Sequence, residues 1–179
     1  EMWVFFALWM GHYFNRSVIF PFRQKHAKDT AVIVVFSAIF FNIINGFING
    51  YYLGSQHLVQ DQYVNYFQSP NFIVGILFFI IRVFINIRSD EILFSLRNNN
   101  DGYKIPKGFM YNYISCPNYF GEIIEWLGFA IMVWSLPAFI FVLWTMFNLI
   151  PRAISHHQWY HGKFSDYPTK RKAIIPFIL

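Results

Sequence analysis

The sequence predicts an all-α fold, a polytopic transmembrane helix bundle of five helices, and three observations predict it. Of the 179 residues, 56% are hydrophobic and 13% charged, where ordinary soluble domains carry roughly 25% charged residues; mean hydropathy is +0.36. Apolar runs approaching the roughly 20 residues that a bilayer core requires recur along the chain. Lys and Arg collect in alternate connecting segments. Phe, Tyr and Trp make up 22%, more than a water-soluble core of this size needs and in keeping with interfacial aromatic belts. Cys116 is the single cysteine, so no intrachain disulfide is possible. With no internal repeat or linker in the sequence, one membrane-embedded domain over residues 1–179 is expected.

The first predicted span covers residues 1–22. It starts at Glu1 and enters an apolar run at once, with neither the basic region nor the cleavage site of a signal peptide; such a start is expected of a piece of a longer chain. The short loop 23–30 carries Arg23, Lys25, His26 and Lys28. Residues 31–53 are an uncharged second span. The polar loop 54–70 has Asp61 but no Lys or Arg. A third span, 71–87, is broken only by Arg82 and Asn86, and the polar stretch 88–117 carries Arg88, Arg97, Lys104 and Lys107. The fourth and fifth spans, about 119–135 and 138–150, are separated by the turn Ser135-Leu136-Pro137. The tail holds Arg152, Lys163, Lys170, Arg171 and Lys172. The positive-inside rule puts loops 23–30 and 88–117 and the tail in the cytoplasm. The net charge of +5 is then an orientation signal and calls for no nucleic acid.

Polar residues gather at the expected cytoplasmic mouth. Asn118 and Glu122 share a helical face at the head of the fourth span, with Glu125 beside them. Arg82, Asn86 and Asp90 recur every fourth residue at the end of the third. Arg152, His156 and Tyr160 do so beyond the fifth, provided the helix continues past Pro151. With Arg97, Tyr103 and Lys104, this set suits a nucleotide: cations for phosphate, amides and carboxylates for hydroxyl and amide groups. A Gly-rich phosphate loop is missing, which excludes the P-loop and Rossmann kinds of site. Blander readings stand beside these. Arg82 snorkels or pairs near Asp90, Asn86 and Asp90 form a cap and ion pair, and Glu125 faces water or headgroups. His157 and His161 are four apart but lack a third ligand, so no metal is expected. His12, Tyr13 and Arg16 are either an interfacial anchor or a donor set in which the Tyr13 hydroxyl stabilises an oxyanion.

Several stretches resemble the steroid 5α-reductase family: His12-Tyr13-Phe14-Asn15-Arg16-Ser17, Asn45-Gly46 with Gly50-Tyr51-Tyr52-Leu53, Ile85-Asn86-Ile87-Arg88-Ser89-Asp90, Tyr103-Lys104-Ile105-Pro106, Asn118 to Trp126, and His156 to Phe177. They occur in order along nearly the whole chain. The likeness is closer to the steroid reductases than to the polyprenol reductases, enoyl-CoA reductases or isoprenylcysteine methyltransferases. It implies seven transmembrane helices with a cytosolic C-terminus, of which this chain is expected to lack the first two. The membrane would be that of the endoplasmic reticulum in a eukaryote or the inner membrane in a bacterium. It also implies NADPH as cofactor and reduction of the Δ4 double bond of a 3-oxo steroid, with Tyr13 resembling the tyrosine that binds the 3-keto oxygen. Asn86, Asp90, Arg97, Tyr103, Asn118, Glu122, Arg152, His156 and Tyr160 resemble the cofactor-binding set. Two departures are visible: the family's second-helix glutamate lies outside this sequence, and Phe36 stands near the place of an arginine that steroid enzymes often carry. A membrane methyltransferase using S-adenosylmethionine and a sterol or lipid carrier are the rival readings.

Overall fold

The computed structural model describes residues 2–23, 31–55, 66–97 and 102–179, and the regular structure among them is helical, apart from one isolated parallel bridge between Ile114 and Lys172. The chain divides into two units, Glu1–Ser69 and Pro70–Leu179.

In the first unit, α1 (Met2–Phe14) continues through a π-helical turn at Asn15–Ile19 into α2 (Phe20–Arg23). The backbone keeps right-handed helical angles at both joints, Phe14 and Phe20. The polar residues Asn15, Arg16 and Ser17 fall in the π turn, a local widening that recurs at functional sites. Lys25, His26, Lys28 and Asp61 lie outside the described residues. Helix α3 (Val32–Ser55) has 24 residues and no charge, about 36 Å at 1.5 Å per residue, enough to span a hydrocarbon core. Its buried side chains are Asn45 and Asn49. Asn49 Nδ2 donates to the Asn45 Oδ1 at 3.0 Å and to its carbonyl at 3.1 Å, which satisfies the Asn49 donor inside the helix, while the buried Asn45 Nδ2 has no hydrogen-bond partner among the described residues.

The second unit is built on α4 (Pro70–Arg97), α5 (Pro117–Val133) and α6 (Leu136–Lys163). The third predicted span thus runs on to Arg97 and the fifth to Lys163, straight through Pro151. The fourth ends earlier than expected. Trp134 turns left-handed (φ 47°) while its N–H reaches the Ala130 carbonyl. Ser135 then caps α6, its Oγ accepting the Ala138 N–H at 3.3 Å, with Pro137 in the first turn. Val32–Ser55, Pro70–Leu96 and Leu136–Lys163 are long and apolar enough to cross a membrane. α5, with 17 residues and two carboxylates, and α1, with 13, are shorter than that.

α4 and α5 pair most extensively, and α5 packs in turn on α6, where Trp126 meets Phe141 edge-on at 4.5 Å. Lipid offers no hydrophobic drive for helices to associate, so small residues that let backbones approach are the natural solution. Gly75 and Gly128 supply them: a Cβ on Gly128 would lie 2.7 Å from the Gly75 carbonyl oxygen and 2.7 Å from Phe78 Cβ. Gly128→Ala is therefore expected to destabilise the protein by about 1–3 kcal/mol, the usual scale of overpacking, seen as a lowered thermal midpoint in detergent. Gly162→Ala, whose Cβ would meet nothing within 4 Å, serves as the neutral comparison.

Candidate functional site

α4 and α5 run antiparallel, and their facing residues form a ladder. At one end, Asn118 Nδ2 donates to Asp90 Oδ1, and the Tyr111 hydroxyl donates to Asn118 Oδ1 at 3.3 Å. One turn further along, Asn86 lies against Gly121, so close that a Cβ on Gly121 would collide with its Oδ1. Asn86 is 8% exposed, and Oδ1 has no hydrogen-bond partner among the described residues. Glu122, also 8% exposed, follows Gly121 on α5. Another turn on, Arg82 Nε lies 2.9 Å from Glu125 Oε2, with side chains 6% and 1% exposed. The Nε–H is not aligned for a hydrogen bond, so that contact at Nε is a charge pair.

This last rung corrects two expectations. Glu125 does not face water or headgroups; it is one of the most buried side chains among the described residues. Arg82 does not snorkel, because its charge is met inside the helix pair. Both were misjudged for one physical reason: a sequence shows helical neighbours three or four apart but not which residue 43 positions later stands opposite.

The α6 stripe joins the α5 head. The Tyr119 hydroxyl is 3.5 Å from His156 Nε2, one turn after the exposed Arg152. Tyr160 stacks on Tyr167, ring centroids 5.1 Å apart and 13° from parallel. The exposed Tyr103 meets Trp159 edge-on at 5.0 Å. Asn86, Asp90, Asn118, Glu122, His156 and Tyr160 are thus carried by three adjoining helices. Arg97 ends α4, and its side chain lies outside the described residues. Tyr13 belongs to the first unit, where it is half-buried with its ring 5.7 Å from Trp9 and 5.1 Å from His12.

A second cluster, not anticipated from sequence, fastens the tail. Ser115 Oγ is 2.6 Å from His157 Nδ1 and 2.7 Å from the Tyr167 hydroxyl, and it donates to the Lys172 carbonyl at 3.1 Å. The Ser115 N–H also reaches Lys172 O at 2.8 Å, while the Cys116 N–H reaches Ala173 O at 3.1 Å. Arg171, one of the basic residues of the tail, is 3% exposed and lies over the Tyr167 ring. His157 is therefore a hydrogen-bonded structural residue. Among the described residues no three His, Cys, Asp or Glu side chains converge as a metal site would need.

Residues 28–179 match the family described as 3-oxo-5-alpha-steroid 4-dehydrogenase. The rat protein named 3-oxo-5-alpha-steroid 4-dehydrogenase 1 is 41% identical over 177 residues, 98% of this chain and 67% of the rat protein. The chain belongs to this family. A steroid 5-alpha-reductase of Gossypium hirsutum is 42% identical over 173 residues, covering 93% of this chain and 66% of its own length. The human 3-oxo-5-alpha-steroid 4-dehydrogenase 1 is 39% identical over 176 residues, at 98% and 67%. The chain spans about two thirds of the length of these relatives. The family is one of oxidoreductases, as the resemblance implied, and not of the methyltransferases or carriers weighed against it.

Cys116 precedes α5 at the edge of the core formed by Ala153, Ala173 and Ile174. Burial pushes its thiol up to about 12, and the thiolate is the reactive form. A maleimide should therefore label the native protein more than about tenfold slower than the denatured one, as measured by mass spectrometry.

Proposed function

We propose that the protein is an NADPH-dependent enone reductase that saturates the Δ4 double bond of a 3-oxo steroid. The observation that carries this is Asn86. Its amide is buried between two helices covered by the family match, its oxygen has no hydrogen-bond partner among the described residues, and the glycine opposite leaves room for that side chain. A buried acceptor without a partner costs free energy unless something fills the role. A cofactor rich in amide and hydroxyl donors is of the right chemistry. The rest of the donor set fits the same group: Asp90 and Glu122 for hydroxyl or amide donors, Asn118 and Tyr160 for polar edges, Arg152, Arg97 and His156 for phosphate.

NADPH, when bound, supplies a hydride for the β-carbon of the enone. The chain's residues hold and orient. The α4–α5 ladder and the α6 stripe would grip the cofactor. The Tyr13 hydroxyl would donate to the 3-keto oxygen, where negative charge develops as C5 is reduced, and stabilise it by hydrogen bonding. A proton from water then completes C4. The apolar helices suit a substrate arriving from lipid, in the endoplasmic reticulum or a bacterial inner membrane, with the mouth of α4, α5 and α6 on the cytoplasmic side.

The full-length protein in detergent is expected to oxidise NADPH only when a Δ4-3-oxo steroid such as testosterone or progesterone is present, yielding the 5α-dihydro product. Binding of S-adenosylmethionine with no NADPH binding would sink the proposal. Tyr13→Phe should lower kcat by about 10²–10³, the scale of one lost oxyanion donor, with NADPH affinity intact; unchanged turnover would remove Tyr13 from the mechanism. Gly121→Ala should push Asn86 aside and weaken NADPH binding by about tenfold or more, since small misplacements in a site are costly. Titration of NADPH fluorescence would check it.

A further inference from the structure

We propose that Arg82 and Glu125 are a positioning pair that sets the register of α4 against α5, and with it the placement of Asn86 and Glu122 for the cofactor. The inference rests on the cofactor reading above, and it deepens that reading by assigning a role to two residues outside the binding set.

The geometry is that of a ladder with a directional contact on each side of the binding rung. Asp90 and Asn118 close it on one side; Arg82 and Glu125 close it on the other, 2.9 Å apart. Asn86 is one helical turn from both Arg82 and Asp90, and Glu122 lies between Asn118 and Glu125. Beyond the pair, the contact passes to Gly75, Phe78, Gly128 and Met132. Close backbone packing fixes how near two helices lie but discriminates weakly between small axial offsets, because apolar surfaces lack directional contacts. In lipid that weakness matters more, since apolar burial does not favour one helix pairing over another. A charge pair at a single rung does discriminate: a shifted register leaves an ionised group buried without its counter-charge.

A buried ion pair is a poor source of stability, because desolvation offsets most of the attraction, and apolar residues of similar volume often replace it at no loss. Specifying a register is the best-attested use of such groups. That contrast separates positioning from simple stabilisation. Arg82→Met or Glu125→Leu alone takes one partner out of a buried charge pair and is expected to lower the thermal midpoint. Arg82→Met combined with Glu125→Leu removes both charges and should return the midpoint close to that of the unsubstituted protein.

The test measures NADPH dissociation constants and thermal midpoints together on the full-length protein. The double variant is expected to fold normally yet bind NADPH about tenfold or more weakly, the scale of a small misplacement in a site. Arg82→Lys, which keeps a cation at that rung, should stay within about threefold of the unsubstituted protein. Glu125→Gln, which keeps shape and loses charge, provides the same readout should the double variant fail to fold; it too should bind NADPH more weakly. An unchanged dissociation constant in whichever of these two variants folds would overturn the positioning role. Absence of NADPH binding by the unsubstituted protein would instead overturn the cofactor reading itself, and the positioning role with it.

Discussion

The contact between α4 and α5 is the constraint on which the second unit depends. Two glycines let the helices touch at one end, and three polar rungs run from there toward the head of α5. The order of these features follows from the solvent. In hydrocarbon, backbone proximity is the cheap way to hold helices together, whereas near the interface polar side chains become tolerable and bring direction. A glycine crossing followed by a charge pair and then amide and carboxylate groups is the sequence of contacts that such a gradient favours. α6 and the tail complete the arrangement by covering the head of α5. Ser115 and Cys116, just before that helix, are bonded through their backbone to Lys172 and Ala173.

Much of this architecture was legible in the sequence because membrane helices are written in plain terms. Hydropathy located five helical segments, and the Ser135-Leu136-Pro137 stretch marked the break between the last two, where α5 ends and Ser135 caps α6. The every-fourth-residue spacing of Arg82, Asn86 and Asp90 put them on one face of α4, and that face meets α5. Helix ends were less legible. α4 and α6 extend well past their apolar stretches, since a helix continues wherever backbone bonds continue, whatever the side chains' polarity. Contacts distant in sequence were not legible at all. Glu125 looked like a surface carboxylate because its partner is on another helix. Arg171 reads in the sequence as one more basic residue of the tail, yet it packs on Tyr167 deep in the cluster with Ser115 and His157.

The two chemical tasks of a reductase also divide along the chain. The proposed cofactor residues lie on α4, α5 and α6 and beside them, in the second unit. The residue proposed to polarise the substrate, Tyr13, lies in the first, at the head of a π-helical turn. Such a division suits the reaction. A nicotinamide cofactor is highly charged and must be held by polar groups reachable from the aqueous side, while an apolar enone is best met by a mostly aromatic surface with one donor. Tyr13 has that setting, with Trp9 and His12 against its ring.

The charges in the ladder make a final point about how such a site is kept in place. Asp90, Glu122 and Glu125 put three carboxylates along one helix contact, with Arg82 as the facing cation and Asn118 as a neutral donor. A contact built this way is poor at maximising stability, because each ionisable group carries a desolvation cost that an aliphatic residue would avoid. It is good at having a single best alignment. For the proposed binding site, with one amide on α4 and one carboxylate on α5, alignment is the property that matters: a slip of one residue along either helix would move the pair by about 1.5 Å and rotate it by about 100°. The polar rungs are thus better understood as the rule that fixes where the helices meet than as the force that makes them meet.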